Sequence, residues 1–284
     1  MPELPEVEVL VRHLRPLLQN QTIREVQVHR ARVLRPTSVK ELTRTLRGAR
    51  FVTIARRGKY LLFNLQPPRG RKLVTLIGHL GMTGRMYLLA ARTPLPQHAA
   101  VVLGLGRQKL VFEDTRYFGR LTLAAEAIER LGPEPLSEEF RAEVFAQALK
   151  RSDQPIKVRL LDQALVAGVG NIYASEALFR AGISPGLPSR RLTAQQAQRL
   201  WRAIRKVLRQ AIDSGSTVPL DYSGVGKQDG LFYFGRAPGA PDFYEERLRV
   251  YDRAGLPCAQ CGSLIKRIVQ AGRSTFYCAQ CQHR

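Results

Sequence analysis

The 284-residue sequence has few acidic residues for its number of basic ones. It contains 23 Asp and Glu against 45 Lys and Arg, which gives a formal net charge of +22 and a pI near 10.7. In a chain with 44% hydrophobic residues, this imbalance predicts a folded protein with a polyanionic partner. Nucleic acid is the first candidate and an anionic membrane surface the second. A proteome biased toward arginine is the alternative, but it does not explain the shortage of acids.

The sequence also lacks any run of roughly 18 apolar residues, so no transmembrane helix is expected. Its N-terminus carries acids where a secretory signal peptide needs a basic flank. These two absences predict a cytoplasmic protein. Only four cysteines are present, and the reducing cytoplasm makes disulfides between them unexpected.

Those four cysteines form two Cys-x2-Cys pairs, Cys258–Cys261 and Cys278–Cys281, separated by sixteen residues. Paired thiolates at this spacing bind zinc tetrahedrally, and a complete set of four leaves no open coordination position. We therefore predict one structural zinc on a short hairpin. A glycine turn at 168–170 lacks the Lys-Ser/Thr of a nucleotide-binding P-loop. We expect no redox or nucleotide cofactor.

The first residues are Met1, Pro2 and Glu3, with Glu6 one helical turn further on. Removal of Met1 would leave Pro2 as a secondary amine, and a free α-amino group has a reference pKa of about 7.7–8.0. An unprotonated amine attacks an aldehyde-like carbon and forms an iminium, with neighbouring carboxylates for acid–base steps. The alternative is structural, because Pro5 suits the first turn of a helix whose positive end favours glutamates.

Periodicity in the first 123 residues predicts one helix followed by strands. Apolar residues at helical spacing indicate an amphipathic helix over 7–18. Segments rich in β-branched and aromatic residues predict strands over 22–35 and 51–65, a strand–loop–strand unit over 73–89 and a hairpin over 99–123. Six to eight strands with short turns are typical of a β-sandwich.

The composition changes at 131–135, a Gly- and Pro-containing linker, and helices are predicted beyond it. Ser137 is expected to cap one helix, and 156–165 to form another. The glycine turn that opens 167–176 leads into a helix, as in helix–turn–helix units, and its backbone N–H groups offer a phosphate site. A long amphipathic helix is predicted over 192–212.

Several side chains in the N-terminal half suit a nucleic-acid surface. Lys59, after Gly58, is either an edge residue or an amine that faces a phosphate. Met82 lies on a glycine-rich loop and is either a packed hydrophobe or a wedge between bases. Arg116 and Phe118 offer a cation and a ring for phosphates and bases, with ordinary aromatic packing as the alternative.

Four motifs are spread along the chain. They are Met-Pro-Glu-Leu-Pro-Glu-Val-Glu at the N-terminus, Arg-Gly-Lys-Tyr-Leu at 57–61, Val-Gly-Asn-Ile-Tyr-Ala-Ser-Glu at 169–176, and the four-cysteine finger with Gly-Arg-Ser-Thr-Phe-Tyr-Cys at 272–278. Together they resemble the formamidopyrimidine-DNA glycosylases, bacterial base-excision repair enzymes that remove oxidised purines and cut the DNA backbone. The resemblance spans nearly the whole chain.

This resemblance implies a multidomain α+β protein. An N-terminal catalytic β-sandwich with its helix occupies 1–131 and a linker 132–135. A helical domain with a helix–two-turns–helix element and a lesion loop occupies 136–243, and a zinc-finger hairpin 244–284. It further implies a monomer that acts on double-stranded DNA with oxidised bases or abasic sites.

The resemblance also implies residue roles. Pro2 is the nucleophile, Glu3 protonates the sugar ring oxygen, and Glu6 relays protons. Lys59 and Arg273 act in β- and δ-elimination. The implied DNA contacts are His79, Met82, His98, Arg116, Phe118, Lys157 and Asn171.

Two other functions remain open. The loop at 214–243 does not align with the family pattern, so a preference for oxidised pyrimidines, as in the sibling endonuclease VIII group, is one alternative. The other is a non-enzymatic zinc-finger protein that binds DNA, which would account for the charge and the finger but not for Pro2, Glu3 and Lys59.

Overall fold

The computed structural model describes residues 2–70, 72–214 and 248–283. These divide into two compact units. The first comprises Pro2 and residues 6–129, and the second comprises residues 3–5, 130–214 and 248–283. The predicted lesion loop lies, except for Ser214, outside the described residues, as does Met1.

The first unit contains one long helix and eight strands in two four-stranded antiparallel sheets. Its helices are α1 (Leu4–Leu18), α2 (Val39–Leu46) and α3 (Glu126–Glu129), with a 3-10 turn at Ala31–Leu34. Its strands are β1 (Glu25–Val28), β2 (Arg50–Arg57), β3 (Tyr60–Gln66), β4 (Val74–His79), β5 (Gly84–Ala90), β6 (Ala99–Gly104), β7 (Gln108–Asp114) and β8 (Arg120–Thr122). One sheet has the order β1-β6-β7-β5 and the other β2-β3-β4-β8.

The two sheets form the predicted β-sandwich. Strand β3 alternates, with Leu61, Phe63 and Leu65 fully buried, as a strand with one face toward a core requires. Strand β6 is buried along almost its whole length because it lies inside its sheet. The apolar stripe of α1, from Val7 to Leu18, packs into the same hydrophobic core, as its 3.6-residue period predicts.

The prediction of a strand over 22–35 is mostly wrong. Only Glu25–Val28 is a strand, and Ala31–Leu34 is a 3-10 turn that buries Val33 and Leu34. The unpredicted helix α2 follows, and the hydroxyl of Ser38 accepts a hydrogen bond from the N–H of Glu41 at its start. Val33 and Leu34 thus reach the core from a turn and not from an alternating strand.

The second unit is built on helices. They are α4 (Ala142–Lys150), α5 (Ile156–Leu160), α6 (Asn171–Ala181) and α7 (Ala194–Asp213), with a 3-10 turn at Ser189–Arg191. Helix α7 begins at a capping box in which Thr193 and Gln196 exchange hydrogen bonds. Helix α6 is buried on nearly all sides, and Gly182 ends it in the left-handed conformation.

Two helical predictions in this unit need correction. Ser137 is not a helix cap; its hydroxyl donates to the carbonyl of Glu134, and the helix begins only at Ala142. Helix α5 ends at Leu160 and not at residue 165, because the carboxylate of Asp162 accepts the N–H of Ala164 and closes a local turn.

The C-terminal residues form the predicted hairpin from β9 (Lys266–Gln270) and β10 (Arg273–Tyr277). Of the described apolar residues between the cysteine pairs, Ile265 and Phe276 are buried, whereas Leu264 and Val269 are more than 60% exposed. Within the described ranges, no helix is both long and apolar enough to cross a membrane.

Candidate functional site

Glu3 is a buried carboxylate fixed at the start of helix α6. It is 1% exposed, and its two oxygens accept the N–H groups of Ile172 at 2.8 Å and Tyr173 at 3.3 Å. These donors belong to the first turn of α6, which carries the positive end of the helix dipole. The carboxyl group next to Pro2 in the chain is therefore held in one position by the second unit.

The glycine turn before α6 is shaped to fit this N-terminal segment. The carbonyl of Gly168 accepts the N–H of Leu4 at 3.1 Å. Gly168 has a φ of +85°, and a Cβ atom there would lie 2.6 Å from the side chain of Leu4. A side chain at this position would therefore push Leu4 and Glu3 out of place.

Lys157 and Asn171 link this region to the finger hairpin. The side chain of Lys157, in a fully buried residue, donates to the amide oxygen of Asn171 and, at 3.4 Å, to the carbonyl of Ser274. The amide nitrogen of Asn171 donates to the same carbonyl at 2.9 Å. The neighbouring residue Arg273 is exposed. Two side chains of the helical region thus hold the strand that carries Arg273.

Burial and, to a smaller extent, the nearby cation of Arg273 lower the pKa of Lys157 to about 8, while Glu3 opposes both effects. An ordinary lysine is fully charged at neutral pH because its pKa is near 10.4. Lys157 instead changes charge within the physiological range. It contributes to the positive potential of this region in a pH-dependent way.

Lys59 occupies the tight turn between β2 and β3 in the first unit. Arg57 pairs with Tyr60 across this turn, and Gly58 at its first position has a φ of +55°, as two-residue hairpin turns require. Lys59 is only 7% exposed, which argues against a solvated edge lysine.

His79 lies beside this turn at the end of β4. Its ring centroid is 4.7 Å from that of Tyr60, and its Nδ1 accepts the N–H of Gly81 at 3.1 Å. Burial, together with the cations of Lys59 and Arg120, lowers its pKa to about 4. His79 is therefore neutral at pH 7, with its hydrogen on Nε2, and this N–H can donate to an anion.

Met82, Arg116 and Phe118 are exposed on two adjoining loops of the first unit. Met82 is 45% and Phe118 52% exposed, and the guanidinium of Arg116 lies 5.7 Å from the ring centre of Phe118. His98 is close to the second loop, with its ring nitrogen 3.4 Å from the hydroxyl of Tyr117. Large apolar side chains at loop tips gain nothing from exposure in water, so this group is suited to contact a partner.

The four cysteine sulfurs of the finger lie within 4.8 Å of one another. Sulfurs bound tetrahedrally to zinc at about 2.3 Å are roughly 3.8 Å apart. The Cys258–Cys281 and Cys261–Cys278 separations, 3.9 and 3.4 Å, fit that geometry. All four positions are filled by thiolates, so the finger holds one structural zinc without a site for substrate.

The structure shows two further buried acids, Asp114 and Glu176, that the sequence analysis did not predict as functional residues. Asp114 is fully buried and accepts hydrogen bonds from both exposed loops. Glu176 accepts the three consecutive N–H groups of residues 249–251, and burial raises its pKa. For Glu176, the sequence signal that could have indicated a role is an acid inside an otherwise apolar stretch, which the structure shows as the buried helix α6.

The fold and these groups define a zinc-finger protein with an N-terminal acid fixed on a helix and a basic, aromatic surface suited to nucleic acid. Comparison with known families gives three consecutive matches. They are the formamidopyrimidine-DNA glycosylase N-terminal domain over residues 1–121, the formamidopyrimidine-DNA glycosylase H2TH domain over 131–221, and the zinc finger found in FPG and IleRS over 255–284.

Whole-chain relatives agree with these matches. The chain is 45% identical to the formamidopyrimidine-DNA glycosylase of Thermus thermophilus over 291 aligned positions, covering 99% of this chain and 98% of the relative. It is 39% identical to that of Carboxydothermus hydrogenoformans, covering 99% and 100%.

Solved structures are similar as well. The MutM (Fpg) protein of Thermus thermophilus has a TM-score of 0.82 at 42% identity, covering 99% of this chain and 98% of that chain. A complex of the Lactococcus lactis Fpg with DNA containing N7-benzyl-Fapy-dG has a TM-score of 0.86 at 32% identity, covering both chains fully. The chain belongs to the formamidopyrimidine-DNA glycosylase family, and it is a DNA-binding repair glycosylase with a four-cysteine zinc finger.

Proposed function

We propose that the protein excises oxidised purines, 8-oxoguanine and formamidopyrimidines, from duplex DNA and then cleaves the abasic site by β,δ-elimination. The observation that carries this proposal is the position of Glu3, a buried carboxyl group held by the N-terminus of α6 and adjacent in sequence to Pro2. A carboxyl group in that position can carry out the acid–base steps of a reaction at the Pro2 amine once Met1 is removed.

The proposed reaction begins when the Pro2 nitrogen bonds to C1′ of the damaged nucleotide and the bond from C1′ to the base breaks. The proton that the Pro2 nitrogen loses neutralises the departing base. Glu3 gives its proton to the ring oxygen, so the sugar opens and an iminium forms between Pro2 and C1′. Glu6, also buried, relays protons nearby. The iminium withdraws electrons and acidifies the C2′ proton; its loss expels the 3′ phosphate, and a second elimination expels the 5′ phosphate.

The proposed DNA contacts follow from the charges and donors of each unit. Lys59 and His79 in the first unit offer a cation and a neutral N–H donor to phosphates, and His98 lies near the second exposed loop. Asn171 and Arg273 in the second unit bind the lesion phosphate, with Lys157 supporting both. Fixed cations stabilise the phosphates as they depart.

Met82, Arg116 and Phe118 are proposed to fill the gap left when the damaged base leaves the stack. Duplex DNA hides the bond to be cut, so the nucleotide must be everted at a cost of a few kcal/mol. Exposed apolar side chains with an arginine offset that cost by stacking in the vacated space.

We further propose that the protein acts on DNA as a monomer. Light scattering of the complex with DNA tests this proposal.

Duplexes that carry 8-oxoguanine, formamidopyrimidine or thymine glycol, compared side by side, test the substrate class. We expect cleavage of the two purine lesions with both eliminations complete, and little cleavage of thymine glycol. Preferential cleavage of thymine glycol would assign the protein to the endonuclease VIII type. Binding without any nick would leave a non-enzymatic DNA-binding protein.

The lowered pKa of Lys157 predicts pH-dependent binding. A DNA phosphate near Lys157 favours its charged form, so the complex binds this proton more tightly than the free protein does. Affinity for a duplex with an uncleavable abasic-site analogue should therefore be highest below pH 8 and fall above it, by up to about tenfold per pH unit. Fluorescence anisotropy from pH 6.5 to 9.5 measures this.

Lys157→Met should remove this component of the pH dependence and bind weakly throughout. Lys206→Met, which removes an exposed lysine on α7, is the matched control and should keep the wild-type profile. An unchanged profile in Lys157→Met would show that another group titrates.

A further inference from the structure

Asp114 is a fully buried carboxylate whose partners belong to the two exposed loops of the first unit. Its Oδ2 accepts the N–H of Gly119 at 2.7 Å. Its Oδ1 accepts the hydroxyl of Thr83 at 2.5 Å and the N–H of Arg116 at 3.2 Å. A single side chain thus satisfies donors on both loops.

Those donors flank the side chains proposed to enter the duplex. Thr83 follows Met82 directly, and the donors at 116 and 119 enclose Phe118. All three donors therefore lie on or next to the residues proposed to fill the gap left by the everted base.

The two loops also touch backbone to backbone. Gly81 has a φ of +61°, and a Cβ atom there would lie 2.7 Å from the nitrogen of Gly119. A Cβ atom at Gly119 would in turn lie 2.6 Å from the ring of Phe112 and 2.9 Å from the carbonyl of His79. The loops can approach this closely only without side chains at these two positions, and Asp114 supplies the hydrogen bonds that keep them together.

A buried charge is costly unless it is fully hydrogen-bonded, and these three donors meet that requirement. The exposed tips of Met82 and Phe118 have no comparable anchor, because half of each side chain lies in solvent. Apart from the contact of the Arg116 guanidinium with the Phe118 ring, the order of these tips before DNA arrives depends on the loop backbones. Order present before binding does not have to be imposed during binding, which lowers the entropic cost of insertion.

We propose that Asp114 is a positioning residue that preorganises Met82, Arg116 and Phe118 for insertion into duplex DNA. This inference rests on the proposed function of those three residues. Asp114 touches no reacting atom and acts only through the loops. Its loss should affect the eversion of a paired base and not the elimination chemistry that follows.

The test compares two substrates under single-turnover conditions. Asp114→Asn keeps the side-chain shape but replaces one acceptor oxygen with a donor. Excision of 8-oxoguanine from a duplex should fall about 10- to 100-fold, because loops displaced by about 1 Å no longer hold the everted nucleotide in its productive position. Cleavage of an abasic site in single-stranded DNA should stay within about twofold, because no base must leave a stack.

A second variant isolates the link between the loops. Thr83→Val removes one hydrogen bond and leaves the two backbone donors to Asp114, so it should show the same selective loss at smaller size. A 2-aminopurine probe beside the lesion reports insertion directly, and its fluorescence change should slow in both variants. In a background with Met82→Ala and Phe118→Ala, Asp114→Asn should cause no further loss, since residues that act as a unit are non-additive.

Equal losses on both substrates, together with a lower thermal midpoint, would make Asp114 merely structural and overturn the proposal. Wild-type rates on the 8-oxoguanine duplex in both variants would also overturn it. If the wild-type protein cleaves neither substrate, the proposed function itself fails, and this result is distinct from a selective loss in the variants.

Discussion

Protein with a blocked N-terminal amine will not form a borohydride-stable cross-link to lesion-containing DNA, whereas protein with a free Pro2 amine will. Borohydride reduces an iminium to a stable amine, so trapping requires the covalent intermediate. Acylation or an uncleaved N-terminal tag blocks the amine and so removes the nucleophile. The variant Pro2→Gly is a separate case, because it replaces the secondary amine with a primary one. For the blocked protein we expect strand cleavage to fall by at least about 1000-fold, the scale on which loss of a nucleophile is felt.

The matched control keeps the amine and changes the acid. Glu3→Gln can still accept an N–H from the first turn of α6, so the N-terminal segment should stay in place. This variant should fail to excise 8-oxoguanine yet still cross-link to a preformed abasic site, whose sugar opens to an aldehyde without the proton that Glu3 supplies. Intact-mass measurement first establishes that Met1 is absent. Blocked protein that cross-links as well as free protein would contradict the Schiff-base mechanism.

Removal of the zinc will abolish lesion cleavage and unfold the finger. Among the described residues, the hydrophobic cluster of the finger has six buried members, of which one is Phe179 of α6 and two are the ligands Cys258 and Cys278. So small a core cannot offset the conformational entropy of the hairpin, and structural zinc in such fingers contributes about 10–16 kcal/mol of apparent binding free energy. Without it, the carbonyl of Ser274 leaves its contacts with Lys157 and Asn171.

Cys278→Ser tests this expectation, because Cys278 is fully buried and serine is nearly isosteric. We expect less than one zinc per chain by elemental analysis and at least about a 100-fold loss of lesion cleavage, as for groups that position substrate. The exposed residue Gln280, between two ligands, supplies the control: Gln280→Ala should keep one zinc and wild-type cleavage. Full activity in zinc-free Cys278→Ser would contradict a structural role for the metal.

The zinc finger and the β-sandwich could be predicted because their signals are local. Four cysteines at fixed spacing specify a metal site without knowledge of the surrounding fold, and alternating residues in β3 specify a buried face. The errors arose where tertiary contacts override local preference. Val33 and Leu34 fill the core from a 3-10 turn, and Ser137 bonds to a carbonyl instead of capping a helix.

The site residues likewise divide into those that are visible in the sequence and those whose role depends on tertiary contacts. Pro2, Glu3 and Lys59 could be proposed because a terminal amine, a neighbouring acid and a lysine beside glycine are visible in the sequence. The role of Asp114 could not, because its donors are backbone groups that meet only after two loops fold together. The pKa values of His79 and Lys157 depend on burial, which sequence alone does not give.

The way in which the finger is held has a consequence for sequence variation. Lys157 and Asn171 both donate to the main-chain oxygen of Ser274, an atom that every amino acid supplies. Other side chains can therefore replace Ser274, with the loss of one hydrogen bond from Arg267 to its hydroxyl. Positions 157 and 171 cannot vary in this way, because their side chains make the contact. Attachment through the backbone leaves the outer side chains of this hairpin open to selection for other purposes, such as the sequence or shape of the DNA encountered.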